Sequence, residues 1–180
     1  MSRIRITGGE WRSRRVQVPN VPSAPGLRPT PDRVRETLFI WLGQELDGLA
    51  CLDLFAGSGI LGFEAASRGA DYVALVERSR PVFEVLKRHA DGFACPRLDL
   101  FCCDALKFAP PSGRRFDLIF LDPPYGQGWL ARVESRLDEL AATGARLYAE
   151  AEMPLDRLGR WSVAKQGRAG QVFFHLLEQA

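Results

Sequence analysis

A short run of rigid and polar residues, Asp122-Pro123-Pro124-Tyr125, follows an apolar stretch that ends at Leu121. Consecutive prolines fix two φ angles and remove two backbone donors, so the neighbouring carbonyl groups face a defined direction. Asp122 and the Pro123 carbonyl can each accept one N–H of an exocyclic amino group, and Tyr125 offers a flat face for a flipped base. Such a site orients a weakly nucleophilic nitrogen toward a methyl donor. The alternative interpretation is a rigid turn that only holds a tyrosine.

A glycine-rich segment, Asp53-Leu-Phe-Ala-Gly57-Ser-Gly59-Ile-Leu-Gly62, follows another short apolar run. Gly57, Gly59 and Gly62 have the spacing G-x-G-x-x-G, and an acid, Glu77, follows Gly57 by twenty residues. This pattern is typical of a loop that binds a nucleoside cofactor at the carboxyl end of a strand. The glycine spacing alone fits NAD and S-adenosylmethionine equally well.

Asp53 favours S-adenosylmethionine over NAD. A carboxylate at the end of the first strand can bind the ammonium group of a methionine, whereas it is a poor neighbour for a pyrophosphate. Glu77 can accept hydrogen bonds from two ribose hydroxyls, and Asp104 can accept one from the adenine amino group. Asp104 can equally serve as a helix N-cap before Ala105-Leu106-Lys107. The predicted cofactor-binding residues are Asp53, Phe55, Gly57, Ser58, Gly59, Glu77, Asp104 and Ala105.

The elements that must position these residues alternate along the chain. Apolar strands are expected over 50–54, 72–76, 98–103, 118–121 and 146–151, and helices over 60–68, about 80–90 and about 128–142. This rhythm predicts an α/β fold with a parallel sheet covered by helices on both faces. Two closing strands, about 161–165 and 171–178, are joined by too few residues for a crossover and should form an antiparallel hairpin.

The amino-terminal part has a different organisation. Residues 3–7 and 14–18 alternate around Gly8-Gly9 and predict a small hairpin, and the prolines of 19–29 predict an irregular linker. Thr30-Pro31-Asp32 has the order of an N-cap, a first-turn proline and a first-turn acid, so a helix should begin there and end near Gly48.

Charge is unevenly distributed along the chain. Residues 1–35 contain eight arginines and two acids, a net charge of +6, whereas the remaining 145 residues carry −4. A basic arm of this kind suits a polyanionic partner, although a solvated basic tail has the same composition.

Size and composition indicate a single globular domain, because the chain has 180 residues of which 46% are hydrophobic and 26% charged. The sequence contains no run that suggests a signal peptide or a membrane span, so a cytoplasmic protein without membrane contact is expected. The four cysteines lack the paired spacing of a zinc site, and no metal is predicted. Cys51, Cys102 and Cys103 lie in apolar segments and are expected to be reduced core thiols.

Taken with these motifs, the chain resembles the bacterial 16S rRNA guanine-N2 methyltransferase family. The resemblance covers nearly the whole chain, and it is carried by Ile4–Gly9 with Arg12 and Arg15, Arg28–Phe39, Asp53–Gly59, Gly62–Ala70 and Asp122–Tyr125. The block Arg28–Phe39 is the most specific of these, since generic methyltransferases lack it. The carboxyl-terminal third matches least.

The resemblance implies a class I methyltransferase, with a Rossmann-like sheet of seven strands in the order 3-2-1-4-5-7-6 and the last strand antiparallel. Residues 1–29 would form an RNA-binding hairpin extension, and 30–180 an S-adenosylmethionine-dependent methyltransferase domain. The catalytic residues implied are Asp122, Pro123, Pro124 and Tyr125. The substrate implied is N2 of a guanine in 16S rRNA, within a small-subunit particle, and we expect a monomer. The arginines expected to bind this RNA are Arg5, Arg12, Arg14, Arg15, Arg28, Arg33 and Arg35.

Other functions remain to be weighed. Adenine-N6 DNA methyltransferases share Asp-Pro-Pro-Tyr, but they usually carry a separate target-recognition region for which 180 residues leave no room. Methyltransferases of a protein glutamine use a similar tetrapeptide with Asn first. An NAD-dependent oxidoreductase would have no use for Asp122–Tyr125, and a simple RNA-binding module would not need the glycine loop.

Overall fold

The computed structural model describes residues 2–20 and 29–180. Those residues form four α-helices: α1 (Asp32–Leu42), α2 (Ile60–Ser67), α3 (Arg80–Phe93) and α4 (Trp129–Leu140). They also form ten strands: β1 (Arg3–Arg5), β2 (Arg15–Gln17), β3 (Ala50–Asp53), β4 (Tyr72–Val76), β5 (Leu98–Phe101), β6 (Phe116–Leu121), β7 (Ala141–Ala151), β8 (Arg157–Leu158), β9 (Trp161–Ala169) and β10 (Val172–Gln179).

Eight strands form one sheet in the order β5-β4-β3-β6-β7-β10-β9-β8, while β1 and β2 pair separately. Strands β3 to β7 are parallel, and β10 runs antiparallel to both β7 and β9. The predicted α/β class and the antiparallel closing hairpin are therefore confirmed. The sheet has eight strands instead of the expected seven, because the two-residue strand β8 adds to the edge of β9. A strand that short leaves no periodic pattern in the sequence.

Both faces of the sheet are buried, as a parallel sheet requires. Consecutive residues of β3 point to opposite faces of the sheet. Cys51 packs in the core beneath α1, α2 and α3, and Leu52 packs in the core beneath α4. Neighbouring strands follow the same alternation. This sandwiching leaves the carboxyl ends of β3, β4 and β6 together at one edge, where the loops that follow them can form a site.

Helix α1 differs from its predicted form at both ends. It ends at a left-handed Gly43 with φ +95°, whose N–H donates to the Ile40 carbonyl at 3.2 Å, and not near Gly48. The residue at its N-cap position is Pro31, and no side chain caps the helix. Thr30, the predicted cap, directs its hydroxyl to the sheet instead, so the capping prediction was wrong.

The amino-terminal hairpin packs against the end of α2. The backbone N–H of Glu10 donates to the Ser67 carbonyl at 2.7 Å, and the Ser67 hydroxyl donates to the Gly8 carbonyl at 2.6 Å. Gly9 has φ +74°, and a Cβ there would lie 1.9 Å from the Ser67 carbonyl oxygen. Only glycine permits both that backbone conformation and this close approach.

The linker, the absence of a membrane span, the absence of a metal site and the cysteines were also predicted from the sequence. Most of the linker predicted over 19–29 lies outside the described residues. Within 2–20 and 29–180, no helix combines the length and the apolar character needed to cross a membrane. The same residues contain no cluster of three or more His, Cys, Asp or Glu side chains that could hold a metal. Cys51 is buried as expected, but Cys102 is exposed because β5 ends at Phe101, before it.

Candidate active site

A cavity of about 820 Å³ opens at the carboxyl ends of β3, β4 and β6. The predicted site residues that line it are Asp53, Phe55, Gly57, Ser58, Glu77, Ala105, Asp122, Pro123, Pro124 and Tyr125. Motifs separated by more than sixty residues in the sequence therefore meet in one site, because their strands are neighbours in the sheet.

Asp53 ends β3 and is 1% exposed. Its Oδ2 accepts the backbone N–H of Gly62 at 3.0 Å, whereas Oδ1 has no hydrogen-bond partner among the described residues. The pKa of Asp53 is raised to about 7. Burial is the main cause, and the nearby Glu77 carboxylate acts in the same direction. A buried carboxylate oxygen without a partner is costly unless a ligand supplies a donor, so this atom fits the ammonium group of a cofactor.

Hydrogen bonds connect the glycine loop to Glu77, which directly follows β4. The N–H of Gly57 donates to Glu77 Oε2 at 3.0 Å, and the N–H of Ser79 donates to Oε1 at 2.7 Å. Each oxygen keeps a second lone pair for a ligand hydroxyl. Burial raises the pKa of Glu77 despite these bonds. Gly59, with φ +82°, starts α2 in a left-handed conformation but does not itself line the cavity.

Asp104 differs from its neighbours in this cavity. Cys103 and Ala105 line the cavity, and Asp104 does not. Its Oδ1 accepts the N–H of Leu106 at 2.8 Å, and its carbonyl accepts the N–H of Lys107 at 2.9 Å. These bonds close a turn and not the helix that was proposed as an alternative. A contact from Asp104 to an adenine stays a prediction.

The tetrapeptide Asp122–Tyr125 continues from β6 into the cavity wall. Asp122 is partly buried, while the Tyr125 side chain is 41% exposed and available for stacking. Burial raises the pKa of Asp122, and the carboxylates of Glu150 and Asp53 raise it further. Of the described residues that line the cavity, Arg78 is the one cationic side chain. A ligand with positive charge is therefore favoured over an anionic one.

Two functional candidates, Thr30 and Glu150, were missed by the sequence analysis. The Thr30 hydroxyl donates to Glu150 Oε1 at 2.6 Å and lies 3.4 Å from Asp122 Oδ2. Tyr148 also donates to Glu150 Oε1, at 2.8 Å, and the Tyr125 hydroxyl lies 3.4 Å from Oε2. An acid inside the apolar strand Arg146–Ala151 was the signal that could have revealed Glu150, since such positions are seldom charged.

The arginines predicted to bind RNA occupy different environments. Arg12, Arg15 and Arg33 are exposed. Arg5 is also exposed but pairs with Asp32 at 2.7 Å, and Arg14 donates to a backbone carbonyl while its guanidinium stacks 4.2 Å above an aromatic ring. Arg28 lies outside the described residues.

Arg35 is in the protein interior, fully buried. Its guanidinium pairs with Glu64 and Asp32, each at 2.5 Å, and also donates to the carbonyls of Thr30 and Arg5. Every described contact of this side chain is within the protein, and it joins the hairpin, α1 and α2. The structure therefore gives Arg35 a structural position and not a place on an RNA-facing surface.

Comparison with known proteins gives matches over nearly the whole chain. The family model described as Conserved hypothetical protein 95 matches residues 4–178. Ribosomal RNA small subunit methyltransferase D of Escherichia coli (strain K12) is 38% identical over 181 residues, which cover 98% of this chain and 90% of that protein. The protein of the same name from Haemophilus influenzae is 37% identical and covers 97% and 93%.

A solved structure agrees with the sequence matches. It is described as a putative methyltransferase from Escherichia coli, with 35% sequence identity and a TM-score of 0.85, and the match covers 99% of this chain and 98% of that one. The family resemblance drawn from the sequence is confirmed by these matches.

Proposed function

This chain belongs to the Conserved hypothetical protein 95 family, and on that premise we propose that it methylates N2 of a guanine in 16S rRNA with S-adenosylmethionine as donor. The observation that carries the proposal is that Asp53 and Asp122–Tyr125 line the same cavity. Among the described residues that line it, Arg78 is the one cationic side chain. A buried acid with a free oxygen suits a cationic cofactor, and the tetrapeptide suits an amino group.

The residues present fit this cofactor. Asp53 Oδ1, which has no partner among the described residues, can accept a hydrogen bond from the methionine ammonium, and Glu77 keeps lone pairs for the ribose hydroxyls. Phe55, Ser58 and Ala105 supply the rest of the lining near them. When bound, S-adenosylmethionine supplies an electrophilic methyl group on a positively charged sulfur.

The protein's part in the reaction is mainly orientation. Asp122 and the Pro123 carbonyl accept the two N–H groups of the guanine amino group, which aims the nitrogen lone pair at the methyl group. Pro123 and Pro124 hold these acceptors rigid, and Tyr125 stacks on the base. Asp122 also stabilises the positive charge that develops on nitrogen during transfer.

The choice of substrate rests on relatives and on charge. Two relatives that cover nearly the whole chain carry the name Ribosomal RNA small subunit methyltransferase D. The exposed arginines Arg5, Arg12, Arg14, Arg15 and Arg33 give the amino-terminal region a basic surface for phosphates. We assign residues 1–29 to an RNA-binding extension of the methyltransferase domain 30–180, acting as a monomer in the cytoplasm on a small-subunit particle.

Incubation with tritiated S-adenosylmethionine tests the substrate. Naked 16S rRNA, assembling particles and finished small subunits, all prepared without the modification, would be compared, and the labelled nucleotide mapped. We expect label on N2 of one guanine, with a particle preferred over naked RNA. Label on an adenine, or on protein alone, would overturn the assignment. Calorimetry with S-adenosylmethionine and with NAD tests the cofactor separately, and NAD should give no heat.

Charge reversal tests the arginine surface. Arg12→Glu with Arg15→Glu should weaken RNA binding and reduce the slope of log affinity against log salt, because fewer phosphate counterions are released. Reversal of Arg157, an exposed arginine far along the chain, is the matched control. A slope that stays the same in the double variant would mean that these arginines are solvated and do not bind RNA phosphates.

A further inference from the structure

The buried hydroxyl of Thr30 lies between the carboxyl groups of Asp122 and Glu150 at the cavity wall. Thr30 is 2% exposed, and its Oγ1 lies 2.6 Å from Glu150 Oε1 and 3.4 Å from Asp122 Oδ2. Glu150 itself is 4% exposed and does not line the cavity, whereas Thr30 and Asp122 do. The three residues come from the segment before α1, the end of β6 and the end of β7. They therefore connect the cavity with a carboxylate that does not line it.

The arrangement has a direction because a threonine hydroxyl carries one hydrogen. The short contact of 2.6 Å assigns that hydrogen to Glu150 Oε1. Both contacts can be hydrogen bonds at the same time only when Asp122 is protonated and donates to the Thr30 oxygen. In that state the geometry suits a proton that moves from Asp122 toward Glu150.

Glu150 is equipped to receive such a proton. Among the described residues it has hydroxyl donors, Thr30, Tyr148 and Tyr125, but no ion pair with a cation. A buried carboxylate without a counter-charge binds a proton more readily than an exposed one, and burial raises the pKa of Glu150 accordingly. Tyr125 contacts Glu150 and is 41% exposed, so it gives the proton a route to solvent.

We propose that Thr30 and Glu150 are positioning residues for Asp122, and that together they accept the proton released when the substrate amino group is methylated. The proposal rests on the function proposed above, in which Asp122 contacts the amino group. Thr30 and Glu150 act through Asp122, and the rate of transfer should depend on both.

The proton balance is complete without another reactant. After methyl transfer the nitrogen bears one surplus proton, and an N–H bond breaks, with its electron pair left on nitrogen, as an O–H bond forms on Asp122. Asp122 then gives this proton to the Thr30 oxygen while Thr30 gives its own to Glu150 Oε1. Asp122 is again a carboxylate, Thr30 is an unchanged hydroxyl, and Glu150 is a neutral acid.

Thr30→Val tests the link directly, since valine keeps the shape and removes the hydroxyl. We expect kcat for methylation to fall by about 100-fold, the lower end of what proton transfer contributes, with little change in the KM for S-adenosylmethionine. Thr30→Ser should restore most of kcat. Thr37→Val is the matched control, because Thr37 lies on α1 and, within 2–20 and 29–180, its hydroxyl donates to the Arg33 carbonyl and not to an acid. An unchanged kcat in Thr30→Val, or no rescue by serine, would overturn the proposal.

A second readout starts from a titration that needs neither substrate nor cofactor. The groups that face Asp122 are Glu150, Asp53, Thr30, Tyr125 and Tyr148. Glu150→Gln removes the first of these charges, so a carboxyl-detected NMR titration should show the pKa of Asp122 lowered, and the acid limb of the pH–kcat profile should move to lower pH. Glu152→Gln, an exposed acid two residues further on, should change neither.

These measurements separate the two possible failures. If the wild-type protein methylates no RNA while the Asp122 titration still responds to Glu150→Gln, the proposed function fails and the coupling stands. If the wild type is active but the Asp122 titration is the same in both proteins, Glu150 does not act on Asp122 and the proposal is wrong.

Discussion

Two regions of this molecule hold buried or partly buried acids, and the fold compensates their charge in only one of them. On the hairpin side of α2, the fully buried Glu64 is paired with Arg35 at 2.5 Å and Arg68 at 3.3 Å. At the carboxyl edge of the sheet, Asp53 accepts the Gly62 N–H and Asp122 lies 3.4 Å from the Thr30 hydroxyl, but no arginine or lysine among the described residues pairs with either acid. The first group is compensated within the fold, and the second is left with uncompensated charge.

The difference separates structure from function. A buried charge that the fold neutralises contributes to holding elements together, and Glu64 joins the hairpin, α1 and α2 in this way. A buried charge that the fold leaves unpaired reduces stability unless a ligand compensates it. An arrangement of that kind is typical of binding and catalytic sites, where pKa values are also displaced. Substitutions in the two groups should therefore have opposite consequences for stability and for activity.

The largest effect is expected from Arg35→Met, which leaves Glu64 with one arginine. Removing one partner of a buried ion pair costs several kcal/mol, and because Arg68 remains we expect a loss of roughly 3 kcal/mol in the free energy of unfolding. Urea denaturation would measure it. Arg33→Met is the matched control, since Arg33 lies on the same helix and is exposed. Equal midpoints for the two variants would show that the pair does not stabilise the fold.

Asp122→Ala should affect the reaction instead of the fold. We expect methyl transfer to fall by at least about 100-fold, since one preorganised polar group commonly contributes that much or more to a rate. Affinity for S-adenosylmethionine, measured by calorimetry, should stay nearly unchanged. Asp138→Ala, at an exposed acid on α4, should leave both quantities as they are. Near-normal transfer in Asp122→Ala would contradict the catalytic role.

Asp53→Asn should affect binding without a cost in stability. The amide keeps the bond from the Gly62 N–H but removes the charge for an ammonium group, so affinity for S-adenosylmethionine should fall by about 10- to 100-fold. The thermal midpoint of the ligand-free protein at pH 8 should stay equal or rise, because an uncompensated buried charge is lost. Asp71→Asn, at an exposed carboxylate that also accepts one backbone N–H, is the control. Unchanged affinity would place the ammonium elsewhere.

The sequence was sufficient for the parts of this comparison that depend on local pattern. Periodicity and glycine spacing placed Asp53 and Asp122 at the ends of two strands, and the resemblance implied the strand order that makes those strands neighbours. It was not sufficient for Arg35, because an arginine in a basic stretch has the same local pattern whether it faces solvent or Glu64. That decision depends on a partner 29 residues away.

Thr30 illustrates the same limit at the site itself. Its position before Pro31-Asp32 favours a helix cap. A prediction from neighbouring residues cannot include a carboxylate 120 residues further along the chain. Once β7 places Glu150 beside it, the hydroxyl bonds the carboxylate and α1 begins without a side-chain cap. Long-range contacts of buried polar groups were therefore the part of the site that pattern alone could not supply.

The smallest effect expected concerns the pH dependence of stability. Burial raises the pKa of Asp53 to about 7 in the folded protein, so between its ordinary value and pH 7 the folded state retains a proton that the unfolded chain has released. The stability contributed by that proton is present at low pH and is lost as the pH rises through 7. For this one group we expect about 1 kcal/mol less stability at pH 8 than at pH 6.

Calorimetric unfolding of the wild type and of Asp53→Asn at the two pH values measures this contribution, together with the effect of the Asp53 carboxylate on the pKa of Asp122. Burial also raises the pKa of Glu77, with the same sign of effect, and lowers the pKa of His89 and His175, with the opposite sign. All three groups remain in both proteins and largely cancel in the difference. The wild type should lose more stability than the variant between pH 6 and pH 8. Parallel curves would mean that Asp53 is already compensated in the fold, as Glu64 is, and the contrast between the two groups of acids would no longer hold.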